Sequence, residues 1–448
     1  MTTLLICNAQ IVNEGVIREV DVFIQDGRIQ RIAPDLSHLP SDEFIDAAGK
    51  HLLPGMIDNH FVTANASLEH LQQESRAALA GGITSVMLMP ALSEPFTEAA
   101  QIQRFQDQAA GQLLVNTSFY LPVSNSNLKE LSQLELPACC GALVNMSTPD
   151  DAYRIDNLEY LEEVLLASPV LVNVHAEDAP TVLANEESYR QIYGDDIPFN
   201  LHHKIHSEDA CLLAAGHVLE LASKNHCRVH LLNLSSAAEV DLLEREKSDQ
   251  KLISSDVCSH FLSFSETDYA AKGSLLKYEP AIKTDVDRAA LMQGLLDGNI
   301  DHISSGHTPW SWDEKQGMYF DVPSGLPQAQ FVLPSILEHY QDQIFSLELI
   351  VEKTSHSVAE NYGLIDRGYI REGYWADLVL VDLQDSFIAR NEDVISEAGW
   401  TIFNGNEFRS SVVCSIVNGQ VVWKKGQPID APATGKLIEF YQKNLHLT

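Results

Sequence analysis

Residues 68–90 read LEHLQQESRAALAGGITSVMLMP, and the fold follows from the change of rhythm inside that stretch. Up to Ala80 the apolar residues recur at helical spacing, as they do when one face of a helix is buried. Gly81-Gly82 breaks the helix, and a short run of buried type follows and ends at Pro90. The same alternation continues along the chain. GITSVMLMP, LLVNTSFYLP, CGALVNM, PVLVNVHAED, CRVHLLNLS, KLISSDVCSH and IDHISSGHTP are apolar, strand-like runs, with helical stretches such as EDACLLAAGHVLELASKN between them. Apolar strands alternating with amphipathic helices are parallel βα units, and about seven or eight of them suit a closed (β/α)8 TIM-type barrel.

Both ends of the chain follow a different pattern. LLICNAQIV, EVDVFIQDGRIQRIAP and EFIDAAGKHLLPG near the start, and YWADLVLVDL, SSVVCSIVNG and QVVWKKGQ near the end, are period-two stretches bounded by turn residues. Each end is too small to enclose a core, so the two are expected to pack together. The predicted organisation is an α/β chain: a β-sandwich built from residues 1–53 and 367–448, and a barrel from 54 to 366.

Composition narrows the function classes. With 63 acidic against 29 basic residues the net charge is -34, which disfavours phosphate backbones and anionic lipid, so no nucleic-acid partner is expected. No apolar run reaches the length of a membrane span, and the N-terminus lacks the basic flank of a signal peptide. The seven scattered cysteines form no CxxC pair, so the expectation is a reducing, cytoplasmic setting.

In such a barrel, chemistry gathers where strands end. The residues at those positions are Asp58, His60, Leu143, His175, Asn233 and Gly306. Asp58 and His60, two apart on a strand, point to one face and can share a metal or a proton, although a polar strand end with an Asx turn gives the same pattern.

LLPGMID, ESRAALAGGITSVMLMP, VHAEDAPTV, VHLLNLS, SDVCSHFLSFSETDYA, PAIKTDVDRAALMQGLLDGNID, SGHTP, SGLPQAQFVLP and YIREGYWADLVLVD follow one another in an order that resembles the dihydroorotases of the cyclic amidohydrolase superfamily, from about residue 3 to 425. The resemblance implies a (β/α)8 barrel with a β-sandwich from both chain ends. It also implies hydrolysis or closure of a cyclic amide on one or two zinc ions, commonly bridged by a lysine carbamate.

Residue by residue, the implied site is depleted. Asp58 matches the family's Asp. Ungapped, His60 takes the first His of the HxH pair and Val62 the second, with Ala64 at the family's Arg; with a two-residue deletion, Val62 stands at that Arg. Leu143 stands at the carbamate lysine and can neither add carbon dioxide nor bind metal. His175 matches a ligand histidine, while Asn233 replaces another, and a neutral amide is a poor zinc ligand. Gly306 stands at the catalytic aspartate, with His307 at a substrate-side histidine. Met89-Pro90-Ala91 replaces MPN, and Glu279 replaces the Asn of NPAIK, placing negative charge toward a dianionic substrate.

The expected reading is a dihydroorotase-like pseudoenzyme linked to pyrimidine biosynthesis, with no metal or cofactor and with Asp58, His60 and His175 as relics satisfied by hydrogen bonds. A pocket remnant of His307, Ala91 and Glu279 is expected for an unidentified small ligand. The alternative is an active cyclic amidohydrolase with one zinc on His60, His175 and His307, helped by Asp58. The resemblance implies a possible homodimer and, for a silent chain, a possible partner in aspartate carbamoyltransferase.

Weaker candidates complete the list. His202, His203 and His206 could form a metal patch but are expected to be surface or loop histidines. Ser304 or Ser305 with His307 permits a triad on paper, without a GxSxG elbow to support it. Glu177-Asp178 is expected to orient His175 or cap the next helix. Trp310, Trp312 and Tyr319 are read either as a pocket lid or as simple packing.

Overall fold

The computed structural model describes residues 2–93, 96, 98–134, 139–246, 252–427 and 433–441. Eight parallel strands lie side by side in chain order: β1 (Met56–Phe61), β2 (Ile83–Leu88), β3 (Asn116–Pro122), β4 (Gly141–Asn145), β5 (Val172–His175), β6 (Val229–Leu232), β7 (Ile253–Cys258) and β8 (His302–Ser304). β2, β3, β5, β6, β7 and β8 are buried along their whole length, as strands covered on both faces must be. The barrel is nearly closed. Phe61 and His307 form the bridge between its first and last strands, with the Val62 amide donating to the His307 carbonyl at 3.0 Å.

The double glycine after the helix Leu68–Ala80 has a physical reason at each position. A Cβ on Gly81 would stand 1.8 Å from the Ala329 carbonyl oxygen, and Gly82 has φ +84°. The first position needs close backbone approach and the second a left-handed residue that stops the helix.

The chain ends form an eight-stranded sheet. Thr3–Asn13 pairs antiparallel with Val16–Gln25 and parallel with His51–Pro54, and the C-terminal strand Leu378–Asp382 pairs antiparallel with His51–Pro54. The sheet encloses its own apolar cluster, including Ile6, Ile11, Val22, Ile29, Leu52, Leu378 and Ile416. The fold is therefore a TIM barrel with a β-domain from both termini. C-terminal residues also return to the barrel: Trp400 is fully buried, and its Nε1 donates to the Trp310 carbonyl at 2.8 Å. Among the described residues, no helix is long and apolar enough to cross a membrane.

Candidate functional site

The C-terminal ends of the strands surround a cavity of about 270 Å³ whose lining includes His60, Leu143, His175, Asn233, Tyr278 and Glu279. Its floor is a set of engaged polar groups. Asn233 has φ +60°, and its Oδ1 accepts from His60 Nδ1 at 2.9 Å and from the Cys258 thiol at 3.1 Å. With Nδ1 donating, His60 keeps a lone pair on Nε2, 3.5 Å from Tyr278 Oη. Burial pushes the His60 pKa down to about 4, so the ring is neutral at physiological pH. The Asn233 amide donates to Asp256 at 2.6 Å. Burial opposes the Asp256 charge, yet His230, that amide and His60 hold it down at about 2.

Asp58 lies behind this floor and does not line the cavity. It accepts from the Ser305 amide at 2.9 Å, from the Ser305 hydroxyl and from the His60 amide at 3.2 Å, tying β1 to the residues after β8. Burial raises its pKa to about 6 against those hydrogen bonds. The hydroxyls the triad reading needed are thus engaged elsewhere: Ser305 on Asp58, and Ser304 on the Cys258 sulfur at 3.4 Å.

Gly306 has φ +64°, and a Cβ there would stand 2.7 Å from Cys258 Sγ, 2.8 Å from His260 Cε1 and 2.9 Å from Tyr278 Oη. The room for a side chain is already filled. His307 corrects the sequence-based expectation, because it turns away from the cavity. Its Nε2 donates to Glu74 Oε2 at 2.9 Å, and its Nδ1 accepts from the Gln328 and Ala329 amides at 3.1 and 3.2 Å. Both members of the pair are 0% exposed, so His307 can neither touch substrate nor complete a zinc site. Ala91 also falls outside the cavity, on an adjoining crevice beside Thr63 and Phe96. Glu279 does line the cavity.

A second layer joins the mouth to the neighbouring helices. Glu177, fully buried, accepts from His206 Nδ1 at 2.9 Å and from Ser147 Oγ at 3.2 Å, and lies 3.7 Å from His175 Nε2. His206 Nε2 is in turn 3.6 Å from Glu279, whose carboxylate accepts from Ser324 Oγ at 2.7 Å. Burial pushes the Glu177 carboxyl up, but the His206 and His175 imidazoles together hold it well below the usual range. Burial pulls His206 down, and Glu177 with Glu279 lifts it above its ordinary value. Asp178 caps the following helix by accepting from the Thr181 amide at 2.9 Å, as expected for that pair.

The histidine cluster needs correcting too. His202 and His206 are interior rather than surface groups: His202 bonds Tyr319 Oη at 2.7 Å and the Tyr278 carbonyl at 2.8 Å. Tyr319 packs there, Trp310 Nε1 donates to the Ser324 carbonyl at 2.9 Å, and Trp312 meets Trp400 edge-on. These aromatics hold the loop and do not line the cavity.

No protein-family model matches the chain. The chain is 27% identical to a dihydroorotase of Methanosarcina acetivorans, over 98% of this chain and 96% of the relative. It is 26% identical to an allantoinase of Desulfitobacterium hafniense over 98% and 99% of the two chains. Along nearly its whole length the chain is thus similar to cyclic amidohydrolases. Among solved structures, the L-hydantoinase of Arthrobacter aurescens superimposes with a TM-score of 0.90 at 23% identity, covering 98% of this chain and 100% of that one. The dihydropyrimidinase of Brevibacillus agri gives 0.89 at 21%, so this chain shares their fold.

The zinc pair that the resemblance implies does not fit the donors of this chain. Leu143 offers no ligand, Asn233 Oδ1 is already taken by two donors, Asp58 is spent on Ser305, and the space at Gly306 is occupied. His60 and His175 remain at the mouth. Among the described residues, no group of three or more His, Cys, Asp or Glu side chains is placed to hold one ion. Sequence reasoning missed Tyr278, Asp256, His260 and the role of His206. Tyr278 adjoins Glu279 in a stretch already singled out, and that adjacency was the available signal.

Proposed function

We propose that this chain is a cyclic amidohydrolase-fold protein that keeps the barrel mouth as a small-molecule pocket and has given up metal-assisted ring hydrolysis. Hydrolysis of a cyclic amide in this fold needs a cation that acidifies water and a carboxylate that moves its proton. The observation that carries the reading is the crowding at Gly306, where Cys258, His260 and Tyr278 occupy the volume a carboxylate would need. A role in pyrimidine biosynthesis would then be exercised by binding or by support of a partner such as aspartate carbamoyltransferase, or through a homodimer, and co-elution on size exclusion tests both.

The experiment is turnover of dihydroorotate, carbamoyl aspartate, allantoin and hydantoin by the full chain, with and without added zinc. The expected rates equal the protein-free controls, and bound zinc stays well below one per chain. Turnover that disappears with chelator and in His175→Ala would refute the reading. It would favour the second one, a single zinc drawn to His60 and His175, which share the cavity wall.

A further inference from the structure

We infer that the mouth cavity selects a small amide- or urea-type carbonyl compound bearing a cationic nitrogen, and rejects carboxylates, with Glu279 as the residue that sets this preference. The inference rests on the non-hydrolytic reading of the same pocket and goes on to name its ligand class. Glu279 carries the acidic charge on the cavity wall, and neither lysine nor arginine lines it. The nearby cations are turned elsewhere. Lys277 Nζ donates to the Tyr319 and Val322 carbonyls at 2.8 and 2.7 Å, and Lys315 Nζ to the Lys277 and Pro323 carbonyls at 2.9 and 2.8 Å. His206 is shared between two acids and lies closer to Glu177, at 2.9 Å, than to Glu279, at 3.6 Å. That leaves the Glu279 carboxylate incompletely compensated and 35% exposed at the side chain. A ligand carboxylate brought beside it finds no lysine or arginine on the wall, only a His206 already shared between two acids, and meets like charge, whereas an ammonium or amidinium supplies a further partner.

The second observation is independent of the acids. Asn233 is 1% exposed and lines the cavity. Its Oδ1 is used by His60 and Cys258, and its Nδ2 has no partner among the described residues. Asn145, on the same wall, likewise spends Oδ1 on the Ser147 and Thr148 amides and leaves Nδ2 free. Two cavity-lining asparagines whose Oδ1 atoms are already used thus offer amide donors, and the ligand group that pairs with such donors is a carbonyl oxygen. Carbonyl at the asparagines and cation at Glu279 together define the ligand. The cavity volume, about 270 Å³, suits a compound of few heavy atoms.

Calorimetric titration of the full chain with glycinamide, acetamide, hydantoin and L-dihydroorotate tests this. Glycinamide should bind about tenfold or more tighter than acetamide, which lacks only the cation, and L-dihydroorotate should give no saturable heat. In Glu279→Gln, checked for its fold by thermal melting, glycinamide should weaken about tenfold and approach acetamide. Binding of L-dihydroorotate as tight as glycinamide would overturn the inference. So would equal affinity for glycinamide and acetamide in the unaltered protein, an unchanged glycinamide affinity in a folded Glu279→Gln, or no heat from any probe at millimolar concentration. Hydrolysis of hydantoin or dihydroorotate in the same samples would refute the non-hydrolytic reading alone and leave the affinity order to decide this one.

Discussion

Replacing Gly306 with alanine isolates what a single carbon costs at the position where the family resemblance places an aspartate. The backbone there has φ +64°, a region that charges an L-residue about 1–2 kcal/mol. The new Cβ would also stand under 3 Å from Cys258 Sγ, His260 Cε1 and Tyr278 Oη, three groups on two separate segments that are themselves buried. Overpacking of that kind adds about 1–3 kcal/mol. Gly306→Ala should therefore lose about 2–5 kcal/mol, enough to lower the melting temperature by several degrees. Gly306→Asp should lose more, because it adds an unpaired buried carboxylate near Asp58 and Asp256, whose charges already reach the adjoining Cys258 thiol. Thermal melting of both variants, with zinc content measured on the same samples, is the assay. A Gly306→Ala protein as stable as the unaltered chain, or a Gly306→Asp protein that takes up stoichiometric zinc and opens a cyclic amide, would refute the packing reasoning.

Glu74→Ala should cost about 1–3 kcal/mol by leaving the buried His307 Nε2–H without an acceptor, while calorimetry of glycinamide at the mouth stays unchanged, because neither member of the pair reaches the cavity. Leu143→Lys should gain no stoichiometric zinc by metal analysis, since the amide oxygen of Asn233 and the filled space at Gly306 are untouched. Burial holds His339 down at about 4 against 6.5 for the free side chain. Its unfolded form therefore binds the proton first: the contribution of this group is fully present above about 6.5 and shrinks as pH falls toward about 4, by roughly 3 kcal/mol. His339→Leu should flatten that part of the pH–stability curve, read by denaturant melts at stepped pH.

The barrel was legible because its βα units announce themselves locally, through an apolar helix face and a buried strand, with a glycine stop in some of them, as at Gly81 and Gly298. The joined β-ends were legible from period-two runs at both termini. Leu143, His175, Asn233 and Glu279 stood out for a similar reason: each sits at a strand end or in the segment after one, where position along the chain predicts the mouth. The orientation of His307 was not legible. It depends on the left-handed turn at Gly306 and on Glu74, a partner in the distant helix Leu68–Ala80. Likewise, nothing near LHHKIH announces that His206 meets Glu177 from the loop after the strand Val172–His175. Long-range polar pairs of this kind carry no local periodicity, so the sequence reveals the scaffold of the site before it reveals which way its side chains face.

The pairing of Leu52 with Leu380 carries a consequence for how the molecule is made. During synthesis the first strands leave the ribosome with an open edge, and the strand that covers it is translated only after the whole barrel. A nascent or truncated chain ending before residue 378 therefore displays bare β-edge to its neighbours. Such fragments should cling to chaperones or to one another until the last stretch arrives.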